Sequence, residues 1–155
     1  MSERTIATLV PDDFPVPTAA ELAGIALRPL GLNDLMPDFE AVIESRERLI
    51  GLFSRSDPWP EGLTLHQDAV DLGWHEKEFQ RRTSFAWGLW RGADHLGSSY
   101  IYPDPSGDLD ALAVHWIRSA AVSTAEPAFS RAWRSWITDR WPFSRVGFAS
   151  PEESA

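Results

Sequence analysis

GDLDALAVHWIRSAAVSTAEPAFSRAWRSWITDRWPFSRVGFAS, residues 107–150, reads as strand, short turn, helix, strand. Residues 109–118 are the first strand. Ser123 with Glu126 three residues on predicts a capping box, two orphan donors satisfied reciprocally. Phe129, Trp133, Trp136, Ile137, Arg140 and Trp141 follow at helical spacing, and Pro142 ends the run. Residues 144–149 are the return strand. A strand feeding a helix is where mixed folds bind phosphates, because helix N-termini present free N–H groups. The turn here, Ser119-Ala-Ala-Val-Ser-Thr-Ala125, has no glycine, and Glu126 and Pro127 stand at the expected helix start. The architecture therefore predicts an anion site that these residue types do not suit.

Working toward the N-terminus, residues 95–102 read as a strand stopped by Pro103. Residues 91–94 are a hairpin turn, and 84–90 alternate Phe85, Trp87 and Leu89 against smaller groups. A helix over 65–82 is capped by Thr64, with Leu65, Ala69, Leu72, His75 or Glu76, and Phe79 facing inward. Two prolines and Gly62 make 54–62 a loop. An earlier helix starts at Asn33 or Asp34, admits Pro37 in its first turn, and faces Leu35, Phe39, Val42 or Ile43, Arg46, Ile50 and Phe53 inward. Residues 25–29 are a short strand. Residues 1–24 form an extended arm docked by Phe14 and Val16, 25–149 one domain, and 150–155 a disordered tail. The order β-α-α-β-β-β-α-β predicts an α+β (mixed α/β) fold: a twisted, mainly antiparallel sheet, helices on both faces, 95–102 inside it.

The chain has 155 residues, net charge −9, eight Trp and no Cys. That length supports one domain with a core, and rings that large predict a Trp-rich one. The acidic balance lacks the basic face that nucleic acid or an anionic membrane requires; it suits a cationic amine. Without cysteine there is no thiolate catalysis and no Cys-ligated zinc. No stretch reaches the ~18 apolar residues of a membrane span, and the N-terminus lacks a signal pattern, so a cytoplasmic location is expected.

IALRPLGLNDL, FAWGLWRGADHLGSSYIYP, AVHWIR and AEPAFSRAWRSWI together resemble the GNAT acetyltransferases, in particular the branch that acetylates ribosomal-protein N-termini. The resemblance covers about residues 25–149. It implies a GNAT-like sheet, here truncated after the fifth strand, and an acyl-CoA-dependent N-acyltransferase acting on a small-molecule or peptide amine. The family's pyrophosphate motif, Arg/Gln-x-x-Gly-x-Gly/Ala, falls on residues 119–124, where both glycines and the basic residue are missing. Glycines let a backbone approach an anion and aim several N–H groups at it. Acetyl-CoA is therefore expected to bind weakly or not at all. What contact remains would involve Trp116, Ile117 and Arg118 along the strand and Ser123 and Thr124 at the helix start.

The same resemblance places His115 beside the acyl thioester, where it or Glu78 would serve as general base; Trp116, pointing the other way, belongs to the core. His75-Glu76-Lys77-Glu78-Phe79 lacks the second histidine of a zinc helix, so no metal is expected. His75 and Tyr102 are candidate pocket residues, and Asp110, in an acidic turn, a candidate for a substrate amine. A final strand left as a sheet edge suggests a homodimer. Two readings stay open: an N-acyltransferase, and a non-catalytic GNAT-like module that binds a small ligand or a protein.

Overall fold

Phe85, Trp87 and Leu89 alternate with Ala86, Gly88 and Trp90, and this period of two sends the large rings to one face of a sheet. A computed structural model, describing residues 7–153, places six strands in one sheet. They are β1 (Ala20–Leu22), β2 (Ile25–Pro29), β3 (Phe85–Arg91), β4 (Asp94–Tyr102), β5 (Ala111–Ile117) and β6 (Val146–Ala149). Their spatial order is their chain order. Each neighbouring pair is antiparallel except β5–β6, which is parallel. The parallel pair is the one that needs a crossover helix.

Three helices cover the sheet: α1 (Leu35–Leu49), α2 (Leu65–Arg81) and α3 (Val122–Arg140). α1 and α2 pack on one face over Ala86, Tyr100, Val114 and Trp116. α3 and the N-terminal arm cover the other, over Ile25, Leu27, Phe85, Trp87, Ala113 and Ile117. Trp87 centres a ring cluster there, with Phe79, Phe85, Trp133, Trp136 and Trp141 at centroid separations of 5.5 to 6.2 Å. The predicted fold class, the inner position of β4 and the ring-rich core are all present.

Four expectations need correction. The arm contributes β1, so the sheet gains a strand inside residues 1–24; Arg82, Trp87 and Phe14 tie the rest of the described arm down. α1 buries Asp38, Ala41, Val42, Ser45 and Leu49, whereas Ile50 is exposed, because polar Asp38 and Ser45 have uses inside the molecule. The capping box at Ser123 does not form. A 3-10 turn at Ser119–Ala121 precedes α3, Ala121 is its N-cap, Glu126 turns inward, and Pro127 lies inside the helix. Finally, Pro151–Glu153 form a turn rather than a disordered tail, with Glu152 ion-paired to Arg48 and Glu153 to Arg134; residues 154 and 155 lie outside the described residues.

Candidate functional site

The α1/α2 face holds a cavity of ≈ 660 Å³ between those helices, their connecting loop and the ends of β4 and β5. Thr64 Oγ1 accepts from the Gln67 amide and starts α2. The helix then aims Asp68, Asp71, His75 and Glu78 at the cavity, a one-face spacing of three and four residues. α1 contributes Asp38. The loop contributes Phe53, Asp57 and Trp59. Strands β4 and β5 contribute Tyr100, Tyr102, Leu112 and Val114. Phe53 sits edge-on to Trp59, Tyr100 and Tyr102 at 5.2, 5.3 and 5.8 Å.

The electrostatics of this cavity are one-sided. Asp38, Asp57, Asp68, Asp71 and Glu78 line it, and among the described residues no Lys or Arg does. Burial raises the proton affinity of Asp38 and Asp68; the hydrogen bond between the two carboxyls and then their repulsion push Asp68 further up. Burial also raises Asp71. Desolvation lowers His75 to about 4, so its ring is neutral at pH 7. His95, lowered to about 4 by burial, stands with Nε2 3.5 Å from Asp38 Oδ1, too far for a good hydrogen bond. Burial drives both tyrosine hydroxyls well above their ordinary value; the Tyr100 hydroxyl accepts from Trp116 Nε1 at 2.9 Å. Glu78 is held by Ser84, whose Oγ donates to Oε2 at 2.7 Å.

His75, Glu78 and Tyr102 all line this cavity. His115 is not with them. It points to the opposite face, under α3, with Nε2 3.1 Å from both carboxyl oxygens of Glu126 and its ring edge-on to Phe129. At 2% exposure, with Glu126 at 6%, this pair is buried and neither residue lines the cavity. The base expected at His115 is instead a core histidine, and Glu126 packs against it rather than facing an anion at the helix end. Asp110 also lies away from the cavity. It accepts from the Ser144 and Arg145 amides at 2.7 and 2.9 Å, which hold its carboxyl below the usual range and fix the entry to β6.

The second feature is the turn between β5 and α3, where the resemblance places a pyrophosphate. Every backbone amide from Ser119 to Val122 already has an acceptor. The Ser119 amide donates to Ser45 Oγ at 3.0 Å and the Ala120 amide to Glu44 Oε2 at 3.1 Å. The Ala121 amide donates to the Arg118 carbonyl and that of Val122 to the Ser119 carbonyl. Arg118 itself is paired with Glu44, Nε to Oε2 at 3.1 Å and Nη2 to Oε1 at 2.8 Å. Arg118 and the Ala120 amide hold the Glu44 carboxyl below the usual range. The Ile117 carbonyl accepts from Arg48 Nη1 at 3.0 Å, and Arg48 also reaches Ser119 Oγ and Glu152. Thr124 Oγ1 donates to the Ala121 carbonyl, and Ser123 is exposed beside it. Trp116 is fully buried, as expected.

Sequence reasoning missed Asp38, Asp68, Glu44 and Arg48. Asp68 carried a signal: an acid on the inner stripe of a helix, four residues before Leu72, must be used for something. The pairing of Glu44 with the Ala120 amide spans 76 residues of chain and has no local signature.

The sequence matches no protein-family model and no curated protein. Solved structures do match. RimL, a ribosomal L7/L12 alpha-N-protein acetyltransferase in complex with coenzyme A, superposes with a TM-score of 0.60 at 15% identity over 82% of this chain and 68% of its own. The ribosomal-protein-S5-alanine acetyltransferase of Vibrio fischeri gives 0.59 at 10% identity over 78% and 67%. RimJ of Mycobacterium smegmatis, with CoA-disulfide, gives 0.54 at 14% identity over 73% and 58%. With its curled, mostly antiparallel sheet, its parallel final pair and helices on both faces, the chain has the fold of the GNAT acetyltransferases.

Proposed function

We propose that this chain is a GNAT-fold small-ligand-binding module whose acyl-CoA groove is filled by its own side chains, and that it binds a small amine in the α1/α2 cavity. The observation that supports this most directly is the Glu44 carboxylate on the Ala120 amide and Arg118. An anion already occupies the donors a pyrophosphate would need, and like charges cannot share them. Arg48 holds the Ile117 carbonyl that a pantetheine amide would use, and its pair with Glu152 spans the same edge. No helix among the described residues is long and apolar enough to cross a membrane; a cytoplasmic location remains part of this proposal, as do the lack of nucleic-acid and membrane partners.

Calorimetry with acetyl-CoA tests it. Heat is expected to be absent or to fit a dissociation constant of ~100 μM or weaker, and a value below ~10 μM refutes the closed groove.

A second reading, an N-acyltransferase acting on an amine with Glu78 as base, is favoured by one observation. Pairing of β5 with β6 stops at Val114 and Ala149, and Val114 lines the cavity. The seam beyond the last pair therefore adjoins the acid-lined space. The same calorimetry separates the two readings.

A further inference from the structure

We propose that the cavity selects an organic ammonium ion that carries an N–H and an apolar body, and takes it up in exchange for a proton held between Asp38 and Asp68. This rests on reading the chain as a small-amine binder and narrows that reading to a ligand class and a recognition chemistry.

Asp68 is the starting point. It is 3% exposed and lines the cavity; its carboxyl pairs with that of Asp38, and no other described donor reaches its buried Oδ2. A buried carboxyl oxygen without a donor is costly, and natural proteins keep such groups where a ligand or a proton completes them. His75 Nδ1, also buried and unpartnered, lines the same cavity. It adds an acceptor or donor but no charge. With five acids and, among the described residues, no Lys or Arg on the wall, the complementary ligand is a cation.

Two further observations decide what kind of cation. A metal ion needs several oxygen or nitrogen ligands converging on one point, and the described residues contain no group of three His, Cys, Asp or Glu placed to do so. The rest of the wall is apolar, with the aromatic rings of Phe53, Trp59, Trp74, Tyr100 and Tyr102 beside leucine, valine and proline side chains. Ring faces attract organic cations and also bury an apolar body. The volume, ≈ 660 Å³, suits a molecule of drug size. Asp68 Oδ2 is an acceptor, so an N–H on the cation completes it, and a quaternary ammonium cannot.

The proton exchange follows from the neighbours of the pair. Asp34 from the 3-10 turn before α1, Asp71 on α2, and His95 and Tyr100 on β4 are the titratable groups that face Asp38 and Asp68. None brings a positive charge at pH 7, since burial keeps His95 neutral. The two buried carboxyls cannot both ionise, so one proton stays with them. An ammonium group entering beside Oδ2 supplies the missing charge, both carboxyls ionise, and the proton leaves to solvent.

The test is isothermal calorimetry on the full chain at pH 7, in phosphate and in Tris, with phenethylammonium, phenethyl alcohol and tetramethylammonium as probes. Phenethylammonium is expected to bind at least ~10-fold more tightly than either of the others. Its apparent enthalpy should differ between the buffers by the heat of releasing up to one proton. Asp68→Asn should weaken the amine at least ~10-fold and abolish the buffer dependence. Near-ultraviolet circular dichroism establishes that this variant is folded, and Asp139→Asn, exposed on α3 and outside the cavity, should keep both the affinity and the buffer dependence. Binding of the alcohol as tightly as the amine, equal amine affinity in Asp68→Asn, or no binding of the amine at millimolar concentration overturns the inference. Each of those outcomes leaves the closed groove untouched. Tight acetyl-CoA binding overturns the closed groove and leaves the ammonium site standing.

Discussion

Replacing Glu44 with alanine is expected to open the turn between β5 and α3 to phosphates. Its carboxylate accepts from the Ala120 amide, from Arg118 Nε and from Arg118 Nη2 at 3.1, 3.1 and 2.8 Å. A ligand phosphate competing for those donors must first displace it. The Arg118 and Glu44 side chains are 25% and 32% exposed, so water screens the ion pair and about 0.5–1 kcal/mol is a fair value for it. The charge-assisted bond from the amide adds about 1–2 kcal/mol. Together about 1.5–3 kcal/mol of competition disappears in Glu44→Ala, and Arg118 becomes a free cation beside the helix N-terminus. That is a ~10- to ~150-fold gain in affinity for coenzyme A. Glu44→Gln should gain less, because an amide oxygen can still accept from Ala120. Calorimetry or displacement of a fluorescent CoA analogue reads the change, with the wild type run beside the variants. Affinity within twofold of wild type in Glu44→Ala would show that Glu44 is not what excludes the pyrophosphate.

Three other perturbations separate the remaining claims. Asp68→Asn should stabilise the protein increasingly as pH rises: the folded chain raises the Asp68 proton affinity from 3.8 to about 8, so wild-type stability is lost across that window, and urea denaturation should show a gain of about 1–3 kcal/mol at pH 8 that shrinks toward pH 5. An equal effect at both pH values would refute the buried-charge account. His115→Ala should cost about 2–4 kcal/mol of stability through the cavity and the unpaired Glu126, while leaving amine affinity unchanged within twofold; loss of amine binding in a folded variant would restore His115 to the site. Light scattering at high micromolar concentration should show a dimer of the 17.4 kDa chain, since β6 is a sheet edge, and only monomer counts against that pairing.

Much of the fold was legible because its elements are strongly patterned. The alternation at Phe85, Trp87 and Leu89, the Thr64 cap and the Phe129–Trp133–Ile137 stripe each have a local physical cause. β1 escaped notice because three residues carry no measurable period. The inner face of α1 was misread because Asp38 and Ser45 occupy core positions, so hydrophobicity pointed at the wrong neighbours. Glu126 looked like a capping residue because the capping signal is local, whereas its actual partner, His115, comes from the strand before. The candidate site was legible only in part. His75, Glu78 and Tyr102 follow from their faces of α2 and β4, but the carboxyl pair of Asp38 and Asp68 needs two helices set side by side, which no spacing within one segment reveals.

The order of the strands has a consequence for how the molecule is made and how it opens. All six strands lie in space as they lie along the chain, so each pairs with its neighbour in the order of synthesis. The β1–β2, β3–β4 and β4–β5 contacts are local and form quickly, whereas β3 reaches β2 only after α1 and α2. Only β6 must cross over, by way of the 19 residues of α3, and it brings with it the turn that carries Glu152 and Glu153. It is held by four residue pairs along one edge, so it is the natural unit of partial unfolding. Hydrogen exchange should therefore find the amides of β6 protected less than those of β4. Opening of β6 and the turn after it is therefore a local equilibrium, set by four strand pairs and two ion pairs rather than by the stability of the whole chain.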